Sequence, residues 1–170
     1  TAEALCYMPG YGIADAATTL VGQGIGAKKE NVAKYFAKIS TMIGMVLMSA
    51  MAVIMFFAAP YIMAMLSADA KVVALGTKIL RIEMFAEPMY AASIVASGAL
   101  RGAGDTFVPS LMNFGSIWLV RMPLSYLLSL SMGLRGMWFA MCIELIFRGS
   151  IFLYRLFKVR WWEKAKNRIQ

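Results

Sequence analysis

Five runs of mainly apolar residues, at 5–27, 39–65, 79–100, 107–130 and 137–157, dominate the chain, and only short polar connectors separate them. A helix rises ~1.5 Å per residue, so about 20 apolar residues cross the roughly 30 Å hydrocarbon core of a bilayer. Runs of this length and spacing predict an all-α integral membrane protein with five transmembrane helices. The connectors read "KKENVAKYFAK", "SADAKVVALGTK", "RGAGDT" and "SMGLRG", and the chain closes on the basic stretch "KVRWWEKAKNRIQ". No linker or second domain is evident, so residues 1–170 are expected to form one membrane domain.

Composition agrees. The chain is 61% hydrophobic and 15% charged, against about 45–50% apolar and about 25% charged for soluble domains. Its net charge of +8 is expected at span ends, where basic residues set orientation against the bilayer; nucleic acid is not the expected partner. Connectors alternate sides. The first and third connectors and the tail together carry eleven basic residues, and the other side carries four. The positive-inside rule then places the first connector, the "RGAGDT" turn and the C-terminus in the cytoplasm.

The absence of histidine excludes His-based triads and His-ligated zinc within this chain. Cys6 and Cys142 lie far apart in apolar runs and are expected to be buried free thiols. The chain opens at Thr1 and enters an apolar run with no basic segment before it, unlike a signal peptide. It reads as a fragment beginning at or just inside a helix.

One stretch, "LVGQGIGAKK" at 20–29, matches the Gly-x-Gly-x-x-Ala dinucleotide fingerprint. That fingerprint needs a preceding strand, a following helix and an acid about 20 residues on. None is expected here, and between Glu30 and Asp69 there is no acid at all. A spacing of four accounts for the glycines better: Gly10, Ala14, Thr18, Gly22 and Gly26 form a stripe of small residues that would let membrane helices pack closely. Lys28 and Lys29 then mark the cytoplasmic rim.

An ionisable group near the bilayer centre costs about 2.5–3.5 kcal/mol even on the milder scale, so each asks for a partner or a function. Counting ~1.5 Å per residue from the nearest connector, Asp15 and Arg121 lie about 20 Å from the inner edge, Glu87 about 9 Å and Glu144 about 13 Å from the outer edge. One layer thus holds three acids and one base, an excess of carboxylate suited to a cation or proton. Structural ion pairing is the alternative, since Glu144 and Arg148 are spaced i, i+4 and Arg121 is available to hold one acid. Glu87 is the favoured coupling residue because Pro88 follows it and removes a backbone N–H, leaving the carbonyl of Met84 without its helical donor. Na⁺ is possible at Glu87; no other metal or cofactor is expected. Glu83 is expected nearer the interface and solvated.

Pro9, Pro88, Pro109 and Pro123 fall in or beside spans, where kinks provide hinge points. The 15 methionines are expected to be ordinary apolar filling, and Trp161 and Trp162 an interfacial aromatic belt.

Three stretches, "PGYGIADAATTLVGQGIGAKK" from Pro9, "GALRGAGDTFVP" from Gly98, and "RMPLSYLL" with "GLRGMWFAMCIELIFR", together resemble the multidrug and toxic compound extrusion (MATE) transporter family. The resemblance covers nearly the whole chain, and its "LRGAGDT" motif is carried by Leu100, Arg101, Gly102, Gly104, Asp105 and Thr106. It implies five helices of a six-helix lobe, most similar to the C-terminal one, without the N-terminal lobe and the first helix of this lobe. The implied function is export of organic cations or drugs by alternating access, driven by Na⁺ or H⁺. The family's coupling acid in the third span would fall near Tyr90, so giving that role to Glu87 assumes a shift of about one turn. A lipid-linked oligosaccharide flippase, and an inactive or self-associating fragment, are the competing readings. No nucleophile–base pair or metal cluster suggests an enzyme.

Overall fold

The computed structural model describes residues 3–159 and 161. Among them every regular element is helical: α1 (Ala4–Gly26), α2 (Glu30–Leu66), α3 (Ala70–Met84), α4 (Glu87–Gly102), α5 (Phe107–Gly115), a π-helical turn (Ser116–Arg121), α6 (Met122–Met132) and α7 (Leu134–Lys158). Arg160, Trp162, Lys164, Lys166 and Arg168, part of the basic tail and aromatic belt expected above, lie outside the described residues.

The connectors are shorter than the sequence suggested. Most of "KKENVAKYFAK" is the first turns of α2, because Ala33 and Ala37 are buried there, and Ala33 seats beside Gly24 of α1. Asp69 caps α3 by accepting the backbone N–H of Lys71 at 2.8 Å, so most of "SADAKVVALGTK" is helix too. The third run is in turn broken at Phe85–Ala86 and continues as α4. Pro88 sits in the first turn of α4, where no intrahelical N–H is required, and the helix restarts with the N–H groups of Met89 and Tyr90 on the carbonyl of Ala86. The fourth run is α5, the π turn and α6 in succession. In a regular α-helix the Pro123 ring would meet the carbonyl of Leu119, and the wider π turn just before it relieves that clash.

Two helices, α2 and α7, are by themselves long and apolar enough to cross a membrane, with mean hydropathy 2.3 and 1.5. α1 has the length, but its glycines, threonines and Asp15 lower its hydropathy, and the third and fourth runs are divided between shorter helices.

α1 and α4 form the centre of the bundle; α2 covers both, and α7 packs on α4 and forms a hairpin with α6. The core is built from small residues: Ala14, Ala17, Ala33, Ala37, Ala91, Ala92, Ala96 and Ala99 are fully buried. Large apolar side chains such as Val46, Phe57, Leu119 and Leu130 point outward. That inverted distribution suits a bundle in lipid, where tails are as apolar as the core and close backbone packing holds helices together.

The stripe expected on α1 is corrected at its end. Gly10 faces Met48, Thr18 lies on Gly102 and Gly22 approaches the Gly102 carbonyl, whereas Gly26 is exposed with open space beside it. A spacing of four advances 40° too far per step on a 3.6-residue helix, so the buried series runs Cys6, Gly10, Ala14, Ala17, Val21, Gly24. Trp161 also departs from expectation. It is 1% exposed and donates its indole N–H to the carbonyl of Leu156 at 3.2 Å, so it belongs to the core.

Candidate functional site

The break before α4 carries the acids inward. Glu87 is 1% exposed and Glu83 2%, and both lie within electrostatic reach of Cys6 on α1 and Cys142 on α7. The pair therefore occupies the space between α1 and α7. Glu87 Oε2 is buried with no hydrogen-bond partner among the described residues. Glu83 interacts electrostatically with Glu87, with Glu3 at the start of α1 and with Arg121.

Glu83 is a correction to the sequence reading, which had it solvated. Depth was counted from a connector ending near Arg81, but α3 begins at Ala70, about 20 Å further out along the helix axis than Glu83. Arg81 is no edge marker either: its Nε–H donates to the Phe56 carbonyl at 3.2 Å and its guanidinium lies 5.0 Å from the Phe56 ring centroid. The i, i+4 spacing of Glu83 and Glu87 was the available signal.

Glu144 of α7 is fully buried. Its Oε1 accepts the Ser116 hydroxyl at 2.5 Å and lies 3.2 Å from Arg148 Nε; its Oε2 has no partner among the described residues. Ser116 opens the π turn, so that turn serves Pro123 and delivers a hydroxyl to a buried carboxylate. Arg148 also places its guanidinium 5.6 Å from the Tyr90 ring centroid, a cation–π contact, and Tyr90 packs edge-on to Tyr7 at 6.2 Å. Neither Ser116 nor this tyrosine pair was singled out from sequence, because apolar periodicity carries no information about which polar groups meet across helices.

The expected layer is thus only partly assembled. Glu87 and Glu144 are buried on facing elements, and Arg121 is half-buried with its Nη2 3.0 Å from Met141 Sδ. Asp15 is exposed on α1 and does not join the cluster. Cys6 and Cys142 are both free and buried.

The "LRGAGDT" residues have separate physical tasks. Leu100, Arg101, Gly104 and Asp105 close α4 in a Schellman arrangement: Asp105 N–H reaches the Leu100 carbonyl at 3.0 Å, Gly104 N–H the Arg101 carbonyl at 2.9 Å, and Gly104 takes φ 81°. Gly102 lies against the Thr18 backbone. Asp105 pairs with Arg155 of α7, tying the turn to the last helix, and Thr106 precedes α5 and accepts the Ser110 hydroxyl on its carbonyl.

Known proteins agree with this architecture. Residues 1–127 match the family model MatE. The chain is 34% identical to a probable multidrug resistance protein NorM of Chromobacterium violaceum, over 91% of this chain and 34% of that protein. It is 28% identical to a probable NorM of Thermotoga maritima, over 96% of this chain and 36% of that protein. Its fold superposes with TM-score 0.76 on a multidrug resistance MATE family transporter of the MOP superfamily in an inward-facing conformation, at 20% identity, covering 89% of this chain and 34% of the other. The chain spans about a third of the length of the curated relatives it matches. A family match over most of the chain, on a bundle with a small-residue core and large apolar residues outside, identifies this chain as a member of the MatE family of integral membrane transporters, not an enzyme.

Proposed function

We propose that this chain is part of one lobe of a multidrug antiporter that exports organic cations by alternating access in exchange for Na⁺ or H⁺, with Glu87 as its coupling carboxylate. In this reading residues 1–170 are one membrane domain of five spans, formed by α1, α2, α3 with α4, α5 through α6, and α7. The tail faces the cytoplasm, and the missing N-terminal lobe and first helix complete the transporter.

The observation that carries the proposal is the buried Glu87 carboxylate with an unpartnered Oε2, one turn from buried Glu83 at a helix break. A carboxylate withdrawn from water without a fixed basic partner needs a cation or a proton to be tolerated, and the break gives that exchange a mobile element. Glu144 is the weaker candidate, since Arg148 already neutralises it. Asp15, exposed on this chain, is left as a candidate for the face toward the rest of the transporter. The names of the relatives support drug efflux as the process served.

The test is efflux of a dye cation from vesicles holding the complete transporter, under a Na⁺ or a H⁺ gradient. Glu87→Gln is expected to abolish efflux driven by the coupling ion while membrane expression stays intact. Unchanged efflux removes Glu87 from the mechanism, and comparing the two gradients identifies the ion.

A further inference from the structure

A cavity of about 460 Å³ lies between α6 and α7, apart from the acidic cluster, lined by Ile117, Arg121, Ser125, Met137, Trp138 and Met141 among others. Its size falls within the ~300–1,000 Å³ of small-molecule sites. One charged group lines it, the guanidinium of Arg121.

Arg121 is unusual for a half-buried cation in an apolar bundle. Among the described residues the ion pairs are Arg148 with Glu144 and Arg155 with Asp105; Arg121 belongs to neither. Its hydrogen-bond partner is the Met141 thioether, a weak acceptor, and Glu83 acts on it only through longer-range electrostatics. One turn along, Ser125 lines the same cavity. Other serines of these helices return their hydroxyls to a carbonyl of the preceding turn, as Ser129 does to Tyr126 and Ser150 to Ile146, both at 2.8 Å. Ser125 makes no such bond among the described residues.

Position and wall chemistry narrow the ligand. Arg121 is the last residue of the π turn, and such turns occur often at functional sites because they re-aim side chains. A single planar fork plus one hydroxyl matches a carboxylate, which accepts two parallel N–H bonds from arginine. The remaining wall is the Trp138 ring with the thioethers of Met137 and Met141, a surface that adapts to flat organic bodies. We propose that Arg121 and Ser125, facing Trp138 across this cavity, form a subsite for the carboxylate of aromatic solutes, so that the transporter takes aromatic zwitterions as well as plain organic cations. The inference deepens the transporter reading and rests on it for its physiological meaning, but it is tested by binding alone.

The probes are a xanthylium dye bearing a free benzoate and its methyl ester, which share the cation and differ in the carboxylate. Binding to the purified complete transporter is followed by fluorescence polarisation. Arg121→Gln is expected to weaken binding of the acid by about tenfold to a hundredfold, the range of a charge-assisted hydrogen bond, and to leave the ester within about twofold. Ser125→Ala should weaken the acid by about threefold and spare the ester. Equal losses for acid and ester, or no change in the acid, overturn the subsite. So does a result in which Arg121→Gln leaves the acid unchanged and instead removes a dependence of dye efflux on phosphatidylglycerol in the vesicles, since the guanidinium then holds a lipid phosphate. Efflux of the ester by the unaltered transporter is scored separately: its absence sinks the transport reading, while the acid–ester contrast still decides the subsite.

Discussion

The hydroxyl of Thr18 on α1 donates to the carbonyl of Gly98 on α4 at 2.9 Å, and to the carbonyl of Ala14 on its own helix at 2.8 Å. A side-chain bond to a main-chain carbonyl of the neighbouring helix requires the two backbones to lie nearly in contact. Glycine makes that possible: a Cβ on Gly98 would lie 2.5 Å from the Ala14 carbonyl oxygen, and one on Gly102 2.2 Å from that of Thr18.

Gly98→Ala and Gly102→Ala should therefore each destabilise the transporter by about 1–3 kcal/mol or more, the cost of overpacking against backbone that has no rotamer to yield. Gly26→Ala, with nothing within 4 Å of the added methyl, should be neutral. Thermal unfolding of the three variants in detergent checks the contrast, and equal melting temperatures would refute this account of the interface.

Asp105 and Arg155 are paired at 10% and 13% side-chain exposure. Losing one member leaves the other's charge uncompensated in a mostly buried place, so Asp105→Asn or Arg155→Gln alone should cost about 3 kcal/mol. The double variant should recover part of that loss. A double-mutant cycle on unfolding midpoints measures the coupling, and strictly additive losses would show that the pair contributes no energy of its own.

Glu144 and Arg148 should respond unequally. Glu144→Gln keeps an acceptor for Ser116 and leaves Arg148 over the Tyr90 ring. Arg148→Met strands a fully buried carboxylate. The arginine variant should lose more stability, by about 2 kcal/mol, in the same unfolding assay, and the reverse order would contradict the pairing.

Trp161→Ala should cost about 3–5 kcal/mol, as for a large core side chain, because the indole is fully buried. A tryptophan sitting in the membrane interface would lose far less, so the size of the loss separates the two placements.

How much of this was legible depended on the kind of signal. Apolar run length marked helices in the right places because it reports directly on what must leave water. It did not reveal that the third run breaks at Phe85–Ala86 or that Ser116–Arg121 winds as a π turn; prolines 88 and 123 hinted at disturbance without saying which geometry would relieve it. Helix ends were misjudged wherever charge was taken for a connector, as at Lys34, Lys38 and Lys78, since a lysine on the outer face of a helix is compatible with continued winding.

The candidate site shows the same division. The i, i+4 partnership of Glu144 with Arg148 followed from helical geometry alone, since 3.6 residues per turn places such residues on one face. The meeting of Glu87 with Glu83 and the thiols of α1 and α7, the hydroxyl of Ser116 on Glu144, and the isolation of Arg121 from every acid involve separate helices. Sequence by itself determined the all-helical class, the small-residue faces and the scarcity of charge, because these follow from local period and composition. Only the tertiary structure decided which faces meet and which charges are left unpaired, because helix rotation and approach are set by the packing of particular glycines and alanines across contacts up to 80 residues apart in the chain.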